Sequence, residues 1–209
     1  MSSFANKFFD YREKILSSDF SCEFFYEDDI VKLCTMINTL ETMHYFYGAS
    51  PELIRHHKAN SFKAHTPINN IFCVPSERIR TINLDSEEIF EEGCVEVMND
   101  FLSLPLFSGQ CLPSISDWTD SDLVYHVSIG ELHYCLWQYK KTEHTSEDWY
   151  IAFARTIMLM NDILHKRGYS DKVYFEYGDN DSNAVILTKE MFQYLVKNNI
   201  IHKQPVTLQ

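Results

Sequence analysis

Glycine and proline are scarce, six of each in 209 residues. That scarcity excludes a collagen-like repeat and a flexible low-complexity chain. No apolar run approaches the ~20 residues that a membrane-spanning helix needs. The first ten residues lack an apolar stretch or a small-residue cleavage site of the kind a secretory leader carries. Basic residues are few: 18 Lys and Arg against 30 Asp and Glu, a formal charge of −12. A field of that sign repels phosphate backbones and anionic headgroups, so direct nucleic-acid or membrane-surface binding is not expected. A basic protein surface is the expected partner, and the cytoplasm the expected compartment.

Several high-specificity motifs are also missing. The chain has no P-loop, no G-x-G-x-x-G, no G-x-S-x-G, no H-E-x-x-H and no kinase set. Its six cysteines, Cys22, Cys34, Cys73, Cys94, Cys111 and Cys135, form no C-x-x-C pair, which excludes zinc-ribbon and thioredoxin-type spacing. Several lie in apolar segments, so they are read as reduced core residues.

What is present is a hydrophobic fraction of 45% with 14% aromatics, enough for one domain of this length to bury a core without staples. The expected fold is α+β: a single, mostly helical domain over 1–209 with a small antiparallel sheet. Its N-terminal part, 1–60, reads as helical. Phe4, Phe8, Tyr11 and Ile15 recur at helical spacing from Ser3 to Leu16. A second stripe runs from Asp28 to Tyr47, followed by Gly48 in a helix-stopping position. Ser50-Pro51 restarts a short helix. Arg78 to Leu84 reads as an edge strand or a turn. Asp85-Ser86-Glu87-Glu88 is a capping signature for a helix running to about Leu104.

The 104–122 segment reads as an irregular loop. Leu123 to Tyr139 fits a hairpin turning at Gly130-Glu131, with a buried helix as the alternative. Over 145–200 the pattern is helix, hairpin, helix. Thr145-Ser146-Glu147-Asp148 opens a helix apolar on nearly every side, which ends at His165-Lys166-Arg167-Gly168. Thr188 caps the last one.

Four constellations carry possible chemistry. Asp117, Trp118, Asp120 and Asp122 join carboxylates to an indole, a combination that anchors and steers a basic partner. It motivates the leading expectation: a non-enzymatic acidic binding protein, of inhibitor or immunity type, occluding a basic surface. The alternative is a small hydrolase or transferase with Cys111 as nucleophile. Gln110 would stabilise an oxyanion there, and His126 or His133 would serve as base.

The run from Asp179 to Glu190 resembles a calcium-binding EF-hand loop, with Asp179, Asp181 and Asn183 at alternate positions and Glu190 at the twelfth. It departs from that pattern at Ala184, where the loop calls for glycine, and in the strand-like Val173 to Tyr177 that precedes it. Finally, His56-His57 with His65 lacks ligand spacing, because adjacent helical side chains point about 100° apart. It reads as a solvated cationic patch beside Arg55 and Lys58. No cofactor is expected.

Overall fold

The computed structural model describes residues 27–61, 79–139, 145–176 and 181–198. The proposed helix over Ser3–Leu16 and the segment around His65 lie outside them. Among the described residues the fold is α+β, with six α-helices and two three-stranded antiparallel sheets. The helices are α1 (Glu27–Thr42), α2 (Pro51–Ser61), α3 (Ser86–Glu92), α4 (Val95–Leu102), α5 (Ser146–Lys166) and α6 (Lys189–Lys197). The strands are β1 (Thr81–Asp85), β2 (Ile115–Thr119), β3 (Val124–Ile129), β4 (Leu132–Gln138), β5 (Lys172–Glu176) and β6 (Asp181–Leu187).

The first sheet, in the order β1-β6-β5, divides the molecule into two cores. Alternate side chains leave each strand on opposite faces. Ile82, Leu84, Val173, Phe175, Ala184 and Ile186 join the larger core with α3, α4, α5 and the second sheet. Tyr174, Val185 and Leu187 face the other way and meet Met36, Ile37 and Leu40 of α1 and Met191 and Leu195 of α6. Helix α5 is central because residues around most of its circumference are apolar. Phe153, Ile157, Met160 and Leu164 are all buried, and its start is fixed by a capping box between Thr145 and Asp148.

Two of the expected helices differ from the sequence expectation, the first for a local reason and the second for a tertiary one. Helix α1 stops at Thr42 rather than Tyr47. His44 takes a left-handed φ of 62°, and the N–H groups of Tyr45 and His44 return to the carbonyls of Leu40 and Glu41, a Schellman ending. The helix expected to run from 86 to 104 is two helices. Asp85 caps the first, its Oδ1 accepting from the N–H groups of Glu87 and Glu88 at 2.9 and 3.0 Å. Gly93 then breaks the chain at φ 91°, ψ 174°. A side chain there would collide with the Tyr125 hydroxyl and the Asp117 carboxylate, so the break is what lets β2 and β3 approach.

The 104–122 segment is not a loop throughout. A 3-10 turn over Pro105–Phe107 buries Leu106 and Phe107, and β2 follows. Leu123 to Tyr139 resolves as the hairpin, β3 and β4, turning at Gly130. His57 is not part of a solvated patch: it is buried, with Tyr45 and Phe46 rings at 6.4 and 5.7 Å.

Candidate functional site: the outer face of the second sheet

Strand β3 sits between the edge strands β2 and β4. Its alternation sends Tyr125, Val127 and Ile129 into the core and His126 and Ser128 outward. Trp118 of β2 is the cross-strand partner of His126. On the other side the register slips by one residue between Tyr125 and His126. Tyr125 pairs with Trp137, but His126 pairs with Cys135. The extra residue lets Leu136 and Trp137 both enter the core and turns the Cys135 thiol outward beside an imidazole. A bulge commonly re-aims a side chain in this way. His133, two residues earlier on β4, shares that outward face.

Four side chains therefore converge. His126 Nδ1 lies 3.3 Å from Cys135 Sγ and 3.1 Å from His133 Nε2. Its other nitrogen, Nε2, is 2.9 Å from Asp120 Oδ2. A carboxylate there accepts the Nε2 hydrogen, which leaves the Nδ1 lone pair aimed at the thiol and the second imidazole. Asp120 is held in place by the turn it makes. Its Oδ1 accepts from the N–H groups of Asp122 and Val124, both at 2.9 Å, and Leu123 adopts a left-handed φ of 63° to close that turn. The His126 contact, and after it the Val124 N–H, lower the Asp120 carboxyl from its ordinary value. Trp118 lies flat on His126, with centroids 5.1 Å apart and planes 9° from parallel, and meets His133 edge-on at 4.9 Å. It remains 41% exposed, a rigid indole open to solvent.

The expected site residues separate into groups. Trp118, Asp120, His126 and His133 come together on one face. Asp117 leaves β2 on the opposite side, where its Oδ2 accepts from the Tyr125 hydroxyl at 2.6 Å. Asp122 is exposed in the turn. Cys111 does not join the histidines. It is exposed, and its thiol reaches the Leu112 carbonyl at 3.9 Å. Gln110 donates to the Tyr169 hydroxyl and accepts from Arg167 at 2.7 Å, which ties it to the end of α5. The Cys–His contact in this fold is at Cys135. The core reading of the cysteines holds for Cys94 alone among the three described thiols, since Cys111 and Cys135 are exposed. Burial, above its other influences, pushes the Cys94 thiol up to about 12.

The calcium-like spacing is not gathered into a loop. Asp179 lies outside the described residues. Asp181 and Asn183 are in β6, paired with Asp85 and Asn83 of β1, and Glu190 is in the first turn of α6. An extended run of this length carries Glu190 roughly 20 Å from Asp181 instead of back toward it.

The order of charges along the chain is itself uneven. Between positions 81 and 139 there is no lysine or arginine, and there are eleven carboxylates, leaving 19 acidic and 18 basic residues in the rest of the chain. The acidic surplus is thus confined to β1, α3, α4 and the second sheet. None of the eleven is buried, and seven are exposed: Glu88, Glu91, Glu92, Glu96, Asp117, Asp122 and Glu131. Comparison with family models, curated proteins and solved structures returns no match.

Proposed function

We propose that this chain is an acidic binding protein whose contact surface is built from its 81–139 segment and whose partner is a basic protein surface. The observation that carries the reading is the segregation of charge. A protein charged only for solubility has no need to place its surplus in one stretch of 59 residues while the remainder is close to neutral. A stretch of chain with eleven carboxylates and no Lys or Arg raises the local potential and steers a cationic partner toward it. Helix α4, which carries Glu96, packs against β2, the edge strand whose other face carries Trp118. Trp118 supplies the apolar anchor. Its ring is already immobilised against two imidazoles, so little conformational freedom is lost when a partner covers it.

An inhibitor or immunity-type role, occluding a basic active or nucleic-acid-binding surface, is the form of binding that this chemistry fits. The three free thiols among the described residues support a reducing, cytoplasmic setting. The test is reversal of charge. E91K/E92K/E96K should abolish capture of a basic protein that the unaltered chain retains at low salt, and W118A should weaken it. Retention of the same proteins by both variants would refute the reading.

A further inference from the structure

We propose that His126, His133 and Cys135 form a binding site for a borderline-soft divalent transition ion, with Asp120 as the outer carboxylate that orients His126. The three ligand atoms, Nδ1, Nε2 and Sγ, all lie within 4.8 Å of one another. Zn–N and Zn–S bonds of about 2.0–2.1 and 2.3 Å place neighbouring atoms of a tetrahedral site about 3.3–3.6 Å apart. The observed 3.1 Å between the two imidazole nitrogens and 3.3 Å between Nδ1 and Sγ are within a few tenths of an ångström of that spacing. Two of the three ligand-to-ligand spacings are thus already close to those around a bound ion.

The surroundings follow the same logic. A histidine that ligates through one nitrogen is ordinarily held at the other by a carboxylate, which fixes its tautomer and raises its basicity. The Asp120–His126 contact at 2.9 Å supplies this, and the carboxylate is itself anchored by two backbone N–H groups. Trp118 braces both rings. Two imidazoles and a thiolate are the wrong donors for calcium or magnesium, which take oxygen ligands, and suit zinc and its neighbours in the first transition row. Among the described residues no fourth His, Cys, Asp or Glu joins the group. His133 and Cys135 are exposed, so the remaining position opens to water or to an incoming ligand. This site does not depend on the acidic-surface reading, because none of its ligands is a carboxylate.

Cobalt(II) titration of the full, reduced, chelator-treated chain tests the proposal. One equivalent should produce a near-ultraviolet thiolate-to-cobalt charge-transfer band, which one equivalent of zinc then removes. C135S should lose the band. H133A, a change at an exposed side chain, should weaken zinc binding at least tenfold while the far-ultraviolet circular dichroism stays unchanged. D120N should weaken it by about 10- to 100-fold, the range for loss of an outer-shell partner. Absence of the band in the unaltered chain overturns the site. So does a band that persists in C135S, or zinc affinity indifferent to H133A.

Discussion

The Tyr125 hydroxyl donates to Asp117 Oδ2 at 2.6 Å and, through the same oxygen, accepts the backbone N–H of Cys94 at 2.9 Å. One hydroxyl on a buried ring thus ties β3 to β2 and to the first residue before α4. Burial, the Cys94 thiol and Asp117 together raise the phenol's pKa above its ordinary value, so it stays a donor. Y125F keeps the ring and its stacking on Trp137 but leaves the Cys94 N–H without an acceptor. The expected cost is about 1–3 kcal/mol, read as a lower urea midpoint. An unchanged midpoint would show that this junction contributes nothing.

A second junction holds the smaller core to the rest. Arg80 and Asp171 are 3% and 9% exposed and form an ion pair. Arg80 also donates from Nε to the Tyr45 carbonyl at 2.6 Å and from Nη2 to the His44 carbonyl at 3.2 Å. Both carbonyls lie in the turn that ends α1. D171A strands a buried guanidinium and should cost about 3–5 kcal/mol, the range for breaking a buried pair from one side. Chemical denaturation of the variant measures it. A loss below about 1 kcal/mol would mean that water reaches the arginine.

Cys94 makes stability depend on alkaline pH. Its folded-state pKa, about 12, lies above the ordinary 9.0 because burial disfavours the thiolate. Unfolding releases that constraint, so the unfolded chain loses its proton first. The contribution is fully present below pH 9 and drains away as pH rises toward 12. Urea midpoints should therefore fall over that window, and C94A should remove the part of the fall that begins at pH 9, below the ordinary 10.0 from which the raised Tyr125 phenol adds its own.

The same burial separates the described thiols in reactivity. In the native chain at neutral pH, iodoacetamide should modify Cys111 and Cys135 and spare Cys94. Zinc should protect Cys135 and leave Cys111 exposed to modification, which peptide mass spectrometry resolves. Equal protection of both would place the ion elsewhere.

Much of the fold is legible in the sequence because local signals agree with tertiary packing. Thr145 and Asp148 cap α5, Thr188 accepts from the Met191 N–H to cap α6, and Gly130 turns the hairpin. Strand β2 is obscure because its outward positions mix a polar Ser116 with an apolar Trp118 while the charged Asp117 points the other way, so it offers almost no apolar alternation to read. The break at Gly93 is obscure because its cause is tertiary: Asp117 and Tyr125 occupy the space a side chain would need.

The histidine–cysteine cluster is hidden for a different reason. Whether His126 faces Cys135 or Leu136 depends on a one-residue slip in the ladder, and no composition or periodicity records a slip of that kind. Asp120 is conspicuous as a carboxylate, but its role beside His126 follows from the turn that aims it. Charge segregation needed only a count along the chain, since it is a property of order and not of folding.

The most direct measurement is affinity capture by the full chain from its native lysate, run beside E91K/E92K/E96K at low and high salt. A defined basic protein retained by the unaltered chain, released by salt and lost with the three reversals is the result expected for a surface built to meet positive charge. Identical captured proteins from both chains, insensitive to salt, would contradict the account and reduce the clustered carboxylates to a solvated lobe.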